Sequence, residues 1–243
     1  MQAIRLLRPG QFSLGRGHCP ACRKRCRFIR LRDDEIAVRC LGCRASPISL
    51  SLISALNEWF PGLDRCHVYE LSARGRVFDH LNRHAASVTG SEFLDGVAPG
   101  DWHDGVQCQD VQALTYPDAS FDLCTSTEVL EHVPDDRKAM RELHRVLKPG
   151  GMVLFTVPLQ IQRPTVERAE LTPEGQIRYL HPPEYHRDPI RAHGRVLAFR
   201  NYGEDIVDRL LQAGFDQAVI HHPPPLPWRS QRPVIVAGKA SSG

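Results

Sequence analysis

Apolar residues along this chain keep two rhythms, one helical and one of short buried runs. Behind Ser46-Pro47, a capping residue followed by the proline tolerated in a first turn, Ile48, Leu52, Ala55, Leu56 and Trp59 recur at helical spacing until Pro61-Gly62 stops them. The pattern then predicts a strand over 66–71, a helix over 75–84, a second strand near 86–91 and a third near 104–108. Residues 121–125 read as a fourth strand. Pro134 opens a helix whose apolar face is Ala139, Met140, Leu143, Val146 and Leu147, with Lys148 in its last turn and Pro149-Gly150-Gly151 as its break. Residues 152–157 form the next buried run. Strand, helix and strand at these lengths make a βαβ unit, so the sheet is expected to be mostly parallel. Near the far end, Ile206, Val207, Leu210 and Leu211 line one helix face and Gly214 caps it. Two closing strands follow, around 215–221 and 233–237, joined by the proline-rich HPPPLP with no helix between them, which predicts an antiparallel hairpin at a sheet edge.

Two stretches fall outside these rhythms. Residues 159–200 show no clear period, and an insertion of that length in a compact domain is functional or disordered. It carries Arg163, Arg168, His181, Tyr185, His186, Arg187, Arg191 and His193, a content that points to function. The other stretch is the head. CPAC (Cys19, Cys22) and CLGC (Cys40, Cys43) form a C-x2-C-x17-C-x2-C array. A two-residue gap lets both thiolates of a turn face one ion, and four thiolates complete a tetrahedral shell. Between the pairs, Phe28, Ile29 and Leu31, then Ile36 and Val38, flank Asp33-Asp34, so the segment reads as a hairpin folding one knuckle onto the other: a zinc ribbon. A closed shell leaves no place for water, and this zinc is therefore expected to be structural. Cys26 and His18 lie close by, whereas Cys66, Cys108 and Cys124 sit in apolar contexts typical of small buried residues. The expected division is a zinc-ribbon-like module over 1–47 and a larger domain over 48–243.

Composition narrows the class. With 243 residues, 42% hydrophobic and 24% charged, the chain has the profile of a globular protein. No apolar run approaches the ~20 residues of a membrane span, and the opening MQAIRLLRPGQFSLGRG lacks the run of a secretion signal, so a cytoplasmic location with no membrane partner is expected. The net charge of +3 is unevenly placed: residues 1–47 hold eleven Lys/Arg against three acids, a local +8. A polyanionic partner and a solvated arginine-rich surface both account for that.

The most informative residues are EVLEHVPD followed by RELHRVLKPGG, over 128–151. This segment is similar to the one after the fourth strand in class I S-adenosylmethionine-dependent methyltransferases, of the type 11 kind, and the cysteine-rich head resembles zinc-binding modules attached to some bacterial members. The resemblance implies an α/β fold: a Rossmann-like, doubly wound, seven-stranded, mostly parallel sheet with a C-terminal antiparallel hairpin, plus the small N-terminal zinc ribbon. It implies S-adenosylmethionine as cofactor. In HVYELSARG, Glu70 would accept from the cofactor's ammonium, with Ser72, Ala73 and Gly75 in the turn beside it. Only one of the family's usual glycines is present there. Glu92 would pair the ribose hydroxyls, Asp110 with Val111 would take the adenine, and Thr127 and Glu128 would lie beside the sulfonium. All three acids follow successive strands, where open α/β sheets bind ligands.

For proton removal the sequence offers His132 and, in HPPEYHRDP, His181 and His186, with Glu184 and Asp188 to orient them or bind substrate. The expected reaction is methyl transfer to O or N of a small-molecule acceptor, a glycan or natural-product intermediate, with the 159–200 insertion capping it. The Asn/Asp-Pro-Pro-aromatic motif of many base-amino methyltransferases is absent after the fourth strand. Two other readings stand beside this one. An RNA methyltransferase would grip phosphates with the basic head, whose few aromatic residues are Phe28 and, at its approach, Phe12. A non-catalytic module would keep a degenerate cofactor fold and dock a partner through the head.

Overall fold

The computed structural model describes residues 12–33, 37–188 and 194–241; Asp34, Ile36, Arg191 and His193, named above, lie outside them. The chain divides into two compact units, one gathering residues up to Pro61 with His221–Val234, the other Gly62–Ile220 with Ile235–Gly243.

In the first unit, β1 (Ser13–Cys19), β2 (Lys24–Arg30) and β3 (Val38–Cys40) make an antiparallel sheet in that order. Helix α1 (Pro47–Trp59) starts as its sequence requires, with the Ser46 Oγ accepting from the Ser49 amide at 3.3 Å. Phe28, Val38, Ala45, Leu50 and Leu226 bury one small core. The unit therefore extends past the expected boundary at 47. Leu50 of α1 and Leu226 of the proline-rich connection complete a core that the short head strands cannot close alone.

In the second unit the chain runs β4 (His67–Glu70), α2 (Gly75–His84), β5 (Ser87–Glu92), β6 (Trp102–His103), β7 (Val106–Cys108), β8 (Phe121–Thr127), α3 (Asp136–Val146) and β9 (Leu147–Thr156). The insertion carries seven short strands: β10 (Leu159–Gln160), β11 (Val166–Glu167), β12 (Ala169–Leu171), β13 (Ile177–Tyr179), β14 (Tyr185–Arg187), β15 (Arg195–Leu197) and β16 (Arg200–Gly203). Helix α4 (Ile206–Gln212), β17 (Gln217–His221) and β18 (Val234–Gly238) close the chain. The main sheet has the order β17-β18-β9-β8-β4-β5-β7-β6. Its centre is parallel, and β18 is antiparallel to β9. This is the expected α/β sheet with one strand added. Asp104 and Gly105 both take positive φ, 49° and 75°, so the chain folds back and β6 pairs with β7. Asp-Gly is the favoured pair for such a two-residue turn.

Helix α3 begins under an Asp135 cap, whose carboxylate accepts from the Lys138 amide at 2.9 Å, and it ends earlier than its apolar pattern implies. Leu147 pairs with Phe121 as the first residue of β9, and Leu123 next pairs with Met152, so residues 148–151 bulge out. A Cβ on Gly151 would come within 2.8 Å of the Lys148 carbonyl and 3.0 Å of that of Asp122, which makes glycine obligatory at this crossing. The insertion, patternless in sequence, consists of strand pairs too short to show a period: β12 with β13, β14 with β15, and β16 between β10 and β11. No helix among the described residues is long and apolar enough to cross a membrane.

Candidate active site and metal clusters

Val68 and Tyr69 are buried strand residues that carry Glu70 to the carboxyl end of the sheet, between β5 and β8. Glu70 is 1% exposed, and its side-chain partner among the described residues is the Thr125 hydroxyl, which donates to Oε2. Burial pushes its carboxyl up to about 8, with the nearby Glu92 adding to the rise and the Thr125 bond opposing it. A cation placed against Glu70 would restore its charged form.

The turn after Glu70 is anchored from β5. Glu92 Oε1 accepts from the Ser72 hydroxyl at 2.9 Å, the Ala73 amide at 3.1 Å and the Arg74 Nε at 3.2 Å. The scarcity of glycine in this turn now has a physical account. Only Gly75 takes a positive φ, 94°. The close approach is supplied from across, by Gly90, where a Cβ would meet the Ala73 Cα at 3.0 Å and the Phe78 ring at 2.6 Å.

Beyond β7, the Asp110 carboxylate accepts from the Gln112 amide at 2.9 Å and from its side chain at 3.0 and 3.2 Å, which fixes the carboxylate's direction. Asp110 and Val111 line a cavity of about 520 Å³, together with Leu71 and Phe93 from the strand ends. Its opposite wall is apolar and comes from the insertion: Leu171, Ile177, Leu197 and Phe199. Thr127 ends β8, and Glu128 follows at φ 53°, its amide bonded to the Thr156 carbonyl at 2.9 Å.

The next turn, Leu130–His132, is a single 3-10 turn held from outside. Arg200, 3% exposed, donates to the carbonyls of Leu130 (3.1 Å), Val133 (2.6 Å) and Pro134 (2.7 Å), and its Nε reaches Glu167 at 3.0 Å. Asp136, also buried, accepts from the Tyr202 hydroxyl at 2.9 Å and Arg209 at 3.0 Å. The turn thus presents Glu131 and His132 rigidly toward β14. There His132 Nε2 and His186 Nδ1 lie 3.2 Å apart, with the rings edge to face. Glu131 is 1% exposed, and its Oε1 stands 3.6 Å from His132 Nε2 and 3.7 Å from His186 Nδ1. Burial pulls the His132 imidazole below its usual range, while the Glu131 carboxylate, helped by Glu184, holds that of His186 above it. His181 does not join this cluster: its side chain is exposed and its amide donates to the Arg168 carbonyl. The sequence offers His132 and His186 as separate candidates and gives no sign that they meet. No spacing rule links residues 54 positions apart, although the adjacent Glu-His of EVLEH was a usable signal.

In the first unit, Cys19 Sγ lies 3.7 Å from Cys43 Sγ and Cys22 Sγ 3.9 Å from Cys40 Sγ. Four ligands about 2.3 Å from one ion at tetrahedral angles stand about 3.8 Å apart, so the thiols match a zinc shell. The Cys22 amide donates to Cys19 Sγ at 3.4 Å, as a knuckle turn allows. Cys26 borders the cluster near Gly42.

Residues 72–155 match the family model described as a methyltransferase domain. Over this core the chain is similar to S-adenosylmethionine-dependent methyltransferases. A ubiquinone biosynthesis O-methyltransferase from Coxiella burnetii is 35% identical over 99 residues, covering 37% of this chain and 42% of that protein. A ubiquinone/menaquinone biosynthesis C-methyltransferase from Hydrogenovibrio crunogenus is 31% identical over 120 residues, 44% of this chain and 43% of that one. This chain therefore spans about two fifths of the length of these curated relatives. Among solved structures, an S-adenosylmethionine-dependent methyltransferase from Mesorhizobium loti aligns with a TM-score of 0.48 at 18% identity, over 77% of this chain and 96% of that one.

Proposed function

We propose that the protein is an S-adenosylmethionine-dependent methyltransferase acting on O or N of a small-molecule acceptor, with a structural zinc in its head. The observation that carries this reading is the set of three acids, Glu70, Glu92 and Asp110, at the carboxyl ends of three adjacent parallel strands, with Asp110 and neighbours of the other two lining one cavity. The residues present fit the cofactor. Glu70 is a buried carboxyl short of donors and suited to an ammonium, with the Ser72–Gly75 turn drawn close beside it. Glu92 uses one oxygen on that turn, and a carboxylate with an oxygen to spare suits ribose hydroxyls. Asp110 is aimed by Gln112 and borders the cavity with Val111, as an adenine amino group requires. When bound, S-adenosylmethionine supplies a methyl group made electrophilic by its sulfonium.

The rest falls to the chain's own residues. Thr127 and Glu128 stand at the end of β8, where the acceptor is held in line. The apolar wall of Leu171, Ile177 and Phe199 favours an acceptor with an apolar portion, a natural-product intermediate over an undecorated glycan. His132 lines the cavity with His186 beside it, so the pair stands where the acceptor's proton is released. In the head, Cys19, Cys22, Cys40 and Cys43 hold the zinc. The test is a calorimetric titration of the zinc-loaded protein with S-adenosylhomocysteine. Micromolar binding that is lost in Glu92→Ala is the expected result. A folded, zinc-loaded protein that binds none overturns the proposal.

A further inference from the structure

The tautomers of the two paired histidines follow from their outer partners. His132 Nδ1 lies 2.8 Å from the Leu197 carbonyl, which can only accept, so Nδ1 carries the hydrogen and Nε2 of the neutral ring is a lone pair. His186 Nε2 faces the Glu184 carboxylate at 3.2 Å, so in its neutral ring too the hydrogen points outward and Nδ1 is the lone pair. Glu184 is itself held by Asn201 at 3.3 Å and Arg168 at 3.3 Å. The inner atoms, two nitrogen lone pairs 3.2 Å apart and a buried carboxylate oxygen, are three acceptors aimed at one another. Among the described residues neither oxygen of Glu131 has a hydrogen-bond partner, although the side chain is buried. Such a convergence is stable only around a positive charge.

We propose that Glu131, His132 and His186 bind a divalent transition-metal ion of the zinc class. Two N or O ligands about 2.1 Å from one ion, at angles of about 90–120°, stand about 3.0–3.6 Å apart; the observed separations are 3.2, 3.6 and 3.7 Å. Metal-bound histidines regularly donate their other N–H to a backbone carbonyl or a carboxylate, and this pair does both. Two histidines and one glutamate leave a coordination position open, in contrast to the closed thiolate shell of the head. His132 lines the cavity, so the open position is available to an oxygen of the acceptor, whose hydroxyl the ion would acidify. That last role rests on the methyltransferase reading; the metal site does not. The ion would also tie the insertion, through β14, to the turn after β8.

Cobalt(II) added to protein whose head already holds zinc is the test, because it reports ligand type. The expected result is one further equivalent bound, with visible d–d absorption and no thiolate charge-transfer band. Binding should fall at least tenfold in Glu131→Gln and in His186→Ala while head zinc and far-ultraviolet circular dichroism stay unchanged. The readout needs no cofactor, so it fails or succeeds separately from the S-adenosylhomocysteine titration. Cobalt that appears only with thiolate bands, or a further equivalent that survives both substitutions, overturns the site. So does a protein that binds no further equivalent, in which case the histidines share a proton instead.

Discussion

The two ligand clusters are built in opposite ways. In the head, four thiols come from residues 19 to 43, each pair on its own tight turn, and the sheet only has to lay one knuckle on the other. In the larger unit, Glu131 and His132 come from the 3-10 turn that follows a core strand and His186 from a hairpin of the insertion. Their meeting depends on buried support at a distance: Arg200 under the turn, the Leu197 carbonyl behind one ring and Glu184 behind the other. A cluster made by local turns is written in spacing. A cluster made by tertiary packing is written only in the residues that hold it, and those read as ordinary loop residues until the fold is known.

The head offers the largest way to break this contrast. Cys40→Ser should abolish stoichiometric zinc and unfold the first unit, since structural zinc supplies on the order of 10 kcal/mol in small domains; metal analysis with scanning calorimetry reads both. Next is Arg200→Met, which leaves the Leu130, Val133 and Pro134 carbonyls and Asp136 short of their donor. Removing one partner of a buried ionic network costs about 3–5 kcal/mol, and denaturant unfolding should show a loss of that size. Were Arg200→Met as stable as the parent, the claim that packing from afar holds the turn would fail.

The cofactor end sharpens the contrast through pH. With its folded pKa raised to about 8, Glu70 is more easily protonated in the folded chain than in the unfolded one. Its contribution to stability is fully present below the unfolded value, near 4.5, and is lost as pH rises through about 8. Binding an ammonium then demands that the proton leave, so S-adenosylhomocysteine should bind about tenfold more weakly per pH unit below 8. Glu70→Gln should remove that pH dependence together with most of the affinity, while raising the melting temperature at pH 8. The smallest effect is expected for Gly90→Ala. Its methyl must displace the Phe78 ring and press on Ala73, which costs about 1–3 kcal/mol and should weaken cofactor binding with little change in metal content.

The same distinction explains what could be read in advance. Helix α1, the βαβ core and the C-terminal strands were legible because capping, period and Gly-Pro punctuation are local signals. Glu70, Glu92 and Asp110 were singled out by the family resemblance, and the sheet order sets them at the ends of adjacent strands. Strand β6 was missed although Asp104-Gly105 marked its turn. The strands of the insertion, two to four residues each, are too short for alternation to show, and only tertiary pairing reveals them. His181 and His186 look equivalent in HPPEYHRDP; exposure alone separates them.

The head also has a history written in its connectivity. Leu226 belongs to its core, yet lies 198 and 188 residues downstream of Phe28 and Val38, on the excursion between β17 and β18. A recombination event that spliced residues 1–47 onto another chain would transplant the cysteines and strand the core they rest on. Gain or loss of this module requires paired changes at two distant points of the gene, so the head and the proline-rich connection should be inherited together or not at all.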